Sequence, residues 1–183
     1  VKSLNHLELP VLSAARERLE RLGARVLIYN PEVIDICFDK WKTARFLETH
    51  GMNCPKTYLS LDDALAAIRV GELRFPVVIK PRWGSASIGI EFPEDLHELE
   101  LAHELLVLRL RRTILASAGK RDANQTVLLQ EHLGGKEYGL DVVNSLNGDY
   151  HGTYAREKLV MRAGETDKAI SVIDPRFEEL GSR

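Results

Sequence analysis

Apolar positions recur at helical spacing in residues 10–22, where Val11, Leu12, Ala15, Leu19 and Leu22 share one face and Arg and Glu the other. Gly23 is placed to end that helix. The short apolar run Arg25–Tyr29 reads as a buried parallel strand, and Asn30-Pro31 as the start of another helical turn. Asp39 is a cap for a helix that opens at Lys40 and ends at Gly51. Residues 52–58 read as extended chain, and Ser60 caps a helix through Ile68. Residues 76–81 are the strongest strand pattern. Ile88, Ile90 and Phe92 alternate with Gly89 and Glu91, which predicts a second strand after the intervening loop. Residues 94–112 predict a long helix with a stripe of Leu96, Leu99, Ala102, Leu106 and Leu110, and residues 117–125 a polar, mobile segment. Strands follow at 126–133, 136–143, 150–161 and 168–173, with Asn147-Gly148-Asp149 as a hairpin turn and Pro175–Leu180 as the start of a helix. The first third therefore reads as parallel strand–helix structure and the last third as antiparallel.

Between the strand at 76–81 and the next lies Gly84-Ser85-Ala86-Ser87-Ile88-Gly89. The two glycines have P-loop spacing, but Ile and Glu follow Gly89 where that motif needs Lys and Ser or Thr. The small residues still let backbone N–H groups approach an anion, Ser85 and Ser87 add hydroxyls, and Lys80 adds an ammonium nearby. An ordinary Gly/Ser hairpin explains the loop alone equally well. Composition narrows the rest. The 183 residues carry 25 Lys and Arg against 27 Asp and Glu, a balance that gives no support for a nucleic-acid or anionic-membrane partner. No apolar run approaches the roughly 18 residues of a membrane span. Two cysteines exclude a disulfide scaffold, and reduced thiols in a cytoplasmic protein are expected. The six histidines show no metal spacing, and no nucleophile–base arrangement stands out, so no catalytic residue and no metal ligand is assigned. The first residues carry no initiator Met and no signal-peptide pattern, and the chain is expected to be a piece of a longer protein.

In order, Asp39-Lys40, Phe75–Pro81, Gly84–Gly89, Leu129–Leu133 and Gly135–Val142 together resemble the ATP-grasp superfamily, and most of all its carbamoyl-phosphate-synthetase-like branch. The resemblance covers residues 7–174. It implies an α/β (α+β) fold, an incomplete ATP-grasp fold. Residues 1–38 would be the remnant of an N-terminal parallel α/β domain, 39–58 a linker helix and extended segment, 59–130 the small lid subdomain, and 131–183 the start of the large subdomain.

The resemblance also implies a site for ATP or ADP. Lys40 would contact nucleotide phosphate, although a helix-surface lysine fits as well. Lys80 would bind the α- and β-phosphates, and Gly84, Ser85, Ser87 and Gly89 would close over the β- and γ-phosphates. Glu131, His132 and Leu133 match the hinge whose backbone reads the adenine edge, and Glu137 the acid that holds the ribose hydroxyls. Arg156, Lys158, Arg162 and Lys168 could form a cationic rim for phosphate or an anionic substrate, and a solvated basic face explains them nearly as well. Trp83 is bulkier than the family prefers and would pack on the lid or on a substrate. The family's Mg²⁺ ligands lie downstream of anything in this chain, so no metal site is expected and the chain alone should be inactive. The implied parent is an ADP-forming carbon–nitrogen ligase that activates a carboxylate as an acylphosphate for attack by an amine. A non-catalytic nucleotide-binding regulatory module, or a plain α/β interaction domain, remains open, as do the substrates and the oligomeric state.

Overall fold

The structure, a computed structural model, describes residues 6–85, 87–113, 122, 125–162 and 164–183. Most of the polar segment expected at 117–125 lies outside the described residues. Two compact units are present, Val1–Leu133 and Gly134–Arg183.

In the first unit, short helices α1 (Leu9–Ala14) and α2 (Arg16–Arg21) divide the expected single helix at Ala15. Helix α3 (Pro31–Phe38) starts where Asn30 accepts from the Val33 N–H, with Pro31 in the first turn. Helix α4 (Lys40–Thr49) starts at Asp39, whose carboxylate accepts from the N–H groups of Trp41 and Lys42. Strand β1 (Thr57–Tyr58) leads to Ser60, which caps α5 (Leu61–Arg69). Strand β2 (Val77–Pro81), helix α6 (Leu96–Leu110) and strand β3 (Val127–Glu131) follow. The sheet has the order β1-β3-β2 and is antiparallel throughout.

Alternation gives this sheet two different faces. Val77, Ile79, Val127 and Leu129 point into clusters with Ala64 and Ala67 of α5 and Leu99, Leu106 and Leu110 of α6. The other face carries Val78, Lys80, Leu128 and Gln130. The helices thus build the core on one side and leave Lys80 on the other.

Two strand expectations are corrected. Arg25–Tyr29 is extended but joins no sheet among the described residues. Its carbonyls at Ile28 and Tyr29 accept instead from the side chains of Arg16 and Ser13, and only Val26 of the run is fully buried. The expected parallel pairing is accordingly not found among the described residues. After the glycine loop, the expected strand reduces to one bridge, Ile79 with Glu91. Pro93 has no N–H to extend a ladder, although its carbonyl accepts from Val77.

The second unit is an antiparallel meander of β4 (Tyr138–Asn144), β5 (Tyr150–Arg162) and β6 (Glu165–Val172), followed by α7 (Pro175–Ser182). The hairpin at Asn147-Gly148-Asp149 forms as expected, with Gly148 at φ +94° and Ser145 and Asp149 bonded across it. Helix α7 packs on β5, where Gly181 meets Thr153. Among the described residues, no helix is long and apolar enough to cross a membrane.

Candidate functional site

Strand β2 delivers Lys80 to the face opposite the core, and there its ammonium donates to Gln130 Oε1 at 2.5 Å. Gln130 is held in turn by its own donation to Thr57 Oγ1 at 2.7 Å, so a polar row crosses all three strands. Lys40 opens α4 beside the end of β2. Its ammonium donates to the carbonyls of Pro81 at 3.1 Å and Gly84 at 2.7 Å, and its N–H donates to the Arg82 carbonyl. The structure therefore brings together Lys40, Lys80 and the start of the glycine loop.

Burial first, then the nearby Lys80 charge, lowers the Lys40 pKa to about 8 against the opposing pull of Asp39. Burial also lowers that of Lys80. Among the described residues no carboxylate forms an ion pair with either ammonium. Two partly desolvated cations of like sign, held by carbonyls and an amide, form a site that an anion would stabilise.

The loop supplies the other half. Gly84 at φ +98°, Ser87 at +55° and Gly89 at +68° all take left-handed backbone, and the non-glycine Ser87 does so at a cost. Ala86 lies outside the described residues. Lys40, Lys80, Gly84, Ser85 and Ser87 line a cavity of only ≈ 30 Å³, about the volume of one water. A phosphate needs the loop to open. Gly89 is fixed sterically as well, since a Cβ there would sit 2.7 Å from Leu106 Cδ1. Gly89→Ala should cost about 2 kcal/mol through the left-handed backbone and that contact, read as a lower thermal midpoint.

Below the loop is a feature that the sequence reading missed. Arg82 and Asp39 are 4% and 3% exposed and form a two-pronged ion pair, with Nε and Nη2 donating to the carboxylate at 2.7–3.0 Å. Arg82 also pairs with Asp122 at 3.2 Å and lies 4.5 Å over the Trp83 ring. Trp83 is itself buried, so it packs under the guanidinium rather than standing free for a substrate. No local pattern signals this pair, because its members lie 43 positions apart. Gln130 was also missed; its place in the alternation of β3, on the face it shares with Lys80 and diagonal to it, is the signal that could have found it.

At the end of β3, Glu131 is bonded both ways to Lys56, its N–H to the Lys56 carbonyl and its carboxylate to the Lys56 N–H. His132 meets Phe92 edge-on at 5.6 Å, and Leu133 is exposed. Among the described residues, the backbone groups of His132 and Leu133 take no hydrogen-bond partner.

In the second unit, Glu137 accepts from Lys158 Nζ at 2.6 Å, and Arg156 pairs with Asp141. Arg156 and Lys158 share the face above Gly139. Arg162 pairs with Asp167 at 3.0 Å. The four-residue rim is corrected for Lys168. The ladder skips Leu159, so Lys158 pairs with Ala169 but Val160 with Lys168. Alternation along β6 then places Lys168 on the face opposite Lys158. Three of the four basic residues are also already paired with acids of their own sheet, which neutralises them locally.

Residues 37–167 match the family model of the ATP-grasp domain. The chain is 36% identical over 90 residues, 49% of its length, to the carbamoyl phosphate synthase large chain of Rubrobacter xylanophilus, and 27% over 85 residues to that of Campylobacter jejuni. It spans 8% of the length of each of those relatives. Among solved structures, the biotin carboxylase domain of the Hydrogenobacter thermophilus 2-oxoglutarate carboxylase, in complex with MgADP, ADP and bicarbonate, superimposes with a TM-score of 0.72 at 17% identity, covering 95% of this chain and 38% of that one. The L-amino acid ligase of Bacillus licheniformis gives 0.68 at 19% identity, covering 98% and 42%. These structural likenesses show the fold.

Proposed function

This chain belongs to the ATP-grasp domain family, and on that footing we propose that it supplies the nucleotide-phosphate site of an ATP-dependent ligase. The observation that carries the reading is the Lys40–Lys80 pair, two partly desolvated ammoniums of like charge facing the left-handed Gly84–Gly89 loop. Lys80, oriented by Gln130, and Lys40, oriented by two carbonyls, would neutralise the phosphates of ATP or ADP. The loop N–H groups and the Ser85 and Ser87 hydroxyls would donate to the phosphate oxygens. The unpartnered backbone groups of His132 and Leu133 offer the donor and acceptor that an adenine edge requires. Glu137 would take the ribose hydroxyls, exchanging its bond to Lys158 for them.

Among the described residues no group of three or more Asp, Glu, His or Cys side chains gathers as a metal ligand set. No step is therefore routed through a metal. In the whole protein, the reaction proposed is attack of a substrate carboxylate oxygen on the γ-phosphorus with loss of ADP, then displacement of phosphate from the acylphosphate by an amine. This chain's part in it is to bind and position, which is where phosphoryl transfer draws its rate.

Calorimetric titration of ADP into Lys80→Ala and Lys42→Ala tests the assignment. Lys42 is half-buried and already paired with Asp35 at 2.6 Å, so its loss should leave affinity unchanged. Loss of Lys80 should weaken binding by about 1.5–3 kcal/mol, or roughly 10- to 150-fold. Equal affinities in the two variants would overturn the phosphate role.

A further inference from the structure

We propose that the chain self-associates through α6, with two copies packing antiparallel about a two-fold axis. The helix is apolar on two sides. Leu99, Leu106 and Leu110 enter the core, while Leu101, Leu105 and Leu108 remain 53%, 46% and 43% exposed. Their i, i+4, i+7 spacing aligns them in one stripe about 10 Å long. Single exposed leucines are ordinary, but an aligned stripe beside a groove is a binding patch. The groove here has a volume of ≈ 380 Å³, lies between α6 and the Gly89–Pro93 segment, and is lined by Leu101, Leu105 and Phe92 with Glu98 and Arg109.

The charges select the occupant. Glu94, Asp95, Glu98 and Glu100 crowd the start of the helix, and Arg109, Arg111 and Arg112 its end. A parallel copy would set acid against acid and base against base. An antiparallel copy sets each acidic end on a basic one, and the helix dipoles favour the same orientation. Counting from the centre of the stripe, Leu105 falls near the two-fold axis. Leu101 then meets Leu108 of the other copy, and Glu98 falls opposite position 111, within reach of Arg112 one residue on, which lies on the stripe's side of the helix. A helix pair with a flanking groove is a small interface, so dissociation in the micromolar range is expected. The proposal is independent of nucleotide binding, and its outcome leaves the assignment of Lys80 untouched.

Sedimentation velocity on the 183-residue chain, from about 5 to 500 μM, should show its mass rising from 20.6 kDa toward twice that value. Leu105→Glu, at an exposed position, should stay monomeric at every concentration with its melting midpoint unchanged. Glu98→Arg and Arg112→Glu should each be monomeric alone, and an equimolar mixture should dimerise, because each interface then holds two matched pairs. Glu98 also accepts from the Glu94 N–H at 2.8 Å. Glu98→Gln, which keeps a side-chain acceptor for that N–H while removing the charge, should weaken the dimer and leave the melting midpoint unchanged. A wild-type chain monomeric at 500 μM, a dimer that survives Leu105→Glu, or a dimer as tight in Glu98→Gln as in the wild type would each overturn the proposal.

Discussion

Arg82→Met should lose about 3–5 kcal/mol of folding stability. The reason is what remains behind. Asp39 is 3% exposed and would be left without its counter-ion, with the N–H groups of Trp41 and Lys42 as its remaining hydrogen-bond donors. A buried carboxylate without its counter-ion costs several kcal/mol, far more than the pair contributes when intact. Asp39→Asn should cost less, because asparagine still caps α4, while Asp39→Ala loses cap and charge together. The double variant Arg82→Met/Asp39→Leu removes both charges and should recover most of the single-variant loss. Urea unfolding followed by tryptophan fluorescence measures this cycle. The chain's two tryptophans, Trp41 and Trp83, both adjoin the pair, so the signal reports on the unit that contains it. A loss below about 1 kcal/mol for Arg82→Met, in the range of an exposed pair, would mean that the guanidinium is solvated. The same pair links the Lys40 helix to the residue before Trp83 and Gly84, so the variants should also weaken nucleotide binding in proportion to their disorder.

Lys40→Met should move stability and binding in opposite directions. The fall in the Lys40 pKa from 10.5 to about 8 corresponds to about 3 kcal/mol spent on holding the charge in a partly dry place beside Lys80. That figure is an upper bound, because methionine also loses the bonds to the Pro81 and Gly84 carbonyls, about 1 kcal/mol each. A net gain of about 1 kcal/mol in the free protein is expected at pH 7.5. The sign with pH follows from linkage. The folded pKa is depressed, so the cost is fully present below pH 8 and is relieved as pH rises from about 8 toward 10.5. The stability gap between Lys40→Met and wild type should therefore close as pH rises from 7.5 and reverse sign by about pH 9.5, measured as the difference in urea midpoints. A constant gap would mean that Lys40 is not titrating in that window. Nucleotide should reverse the order. A phosphate beside Lys40 raises its pKa, so the wild-type protein should take up protons on binding ADP at pH 8.5, seen by calorimetry in buffers of different ionisation enthalpy. Lys40→Met should show neither the uptake nor the affinity.

The sequence by itself determined the features that need only near neighbours. Asn30, Asp39 and Ser60 each accept from an N–H two or three residues on, so the starts of α3, α4 and α5 are written locally. Strand-like runs marked β2 and β3, Asn147-Gly148 marked a hairpin, and five segments in order, Asp39-Lys40, Phe75–Pro81, Gly84–Gly89, Leu129–Leu133 and Gly135–Val142, carried the family resemblance. Tertiary structure decided what depends on partners far along the chain. Arg25–Tyr29 has strand composition, but a strand needs a neighbour, and among the described residues side chains take its carbonyls instead. Ile88–Phe92 alternates correctly, yet Pro93 limits its ladder to one bridge. Lys168 belongs with the other basic residues by sequence, but a register break at Leu159 in the adjoining strand turns it to the opposite face. Arg82 reads as a solvent-exposed loop residue until Asp39 is placed against it, and a charge can be buried only where the fold supplies its counter-charge. Hydrogen bonds within a turn are fixed by a few dihedral angles. Burial and register are fixed by the whole arrangement of packed elements, and that is where this chain's lysine pair acquires its lowered pKa.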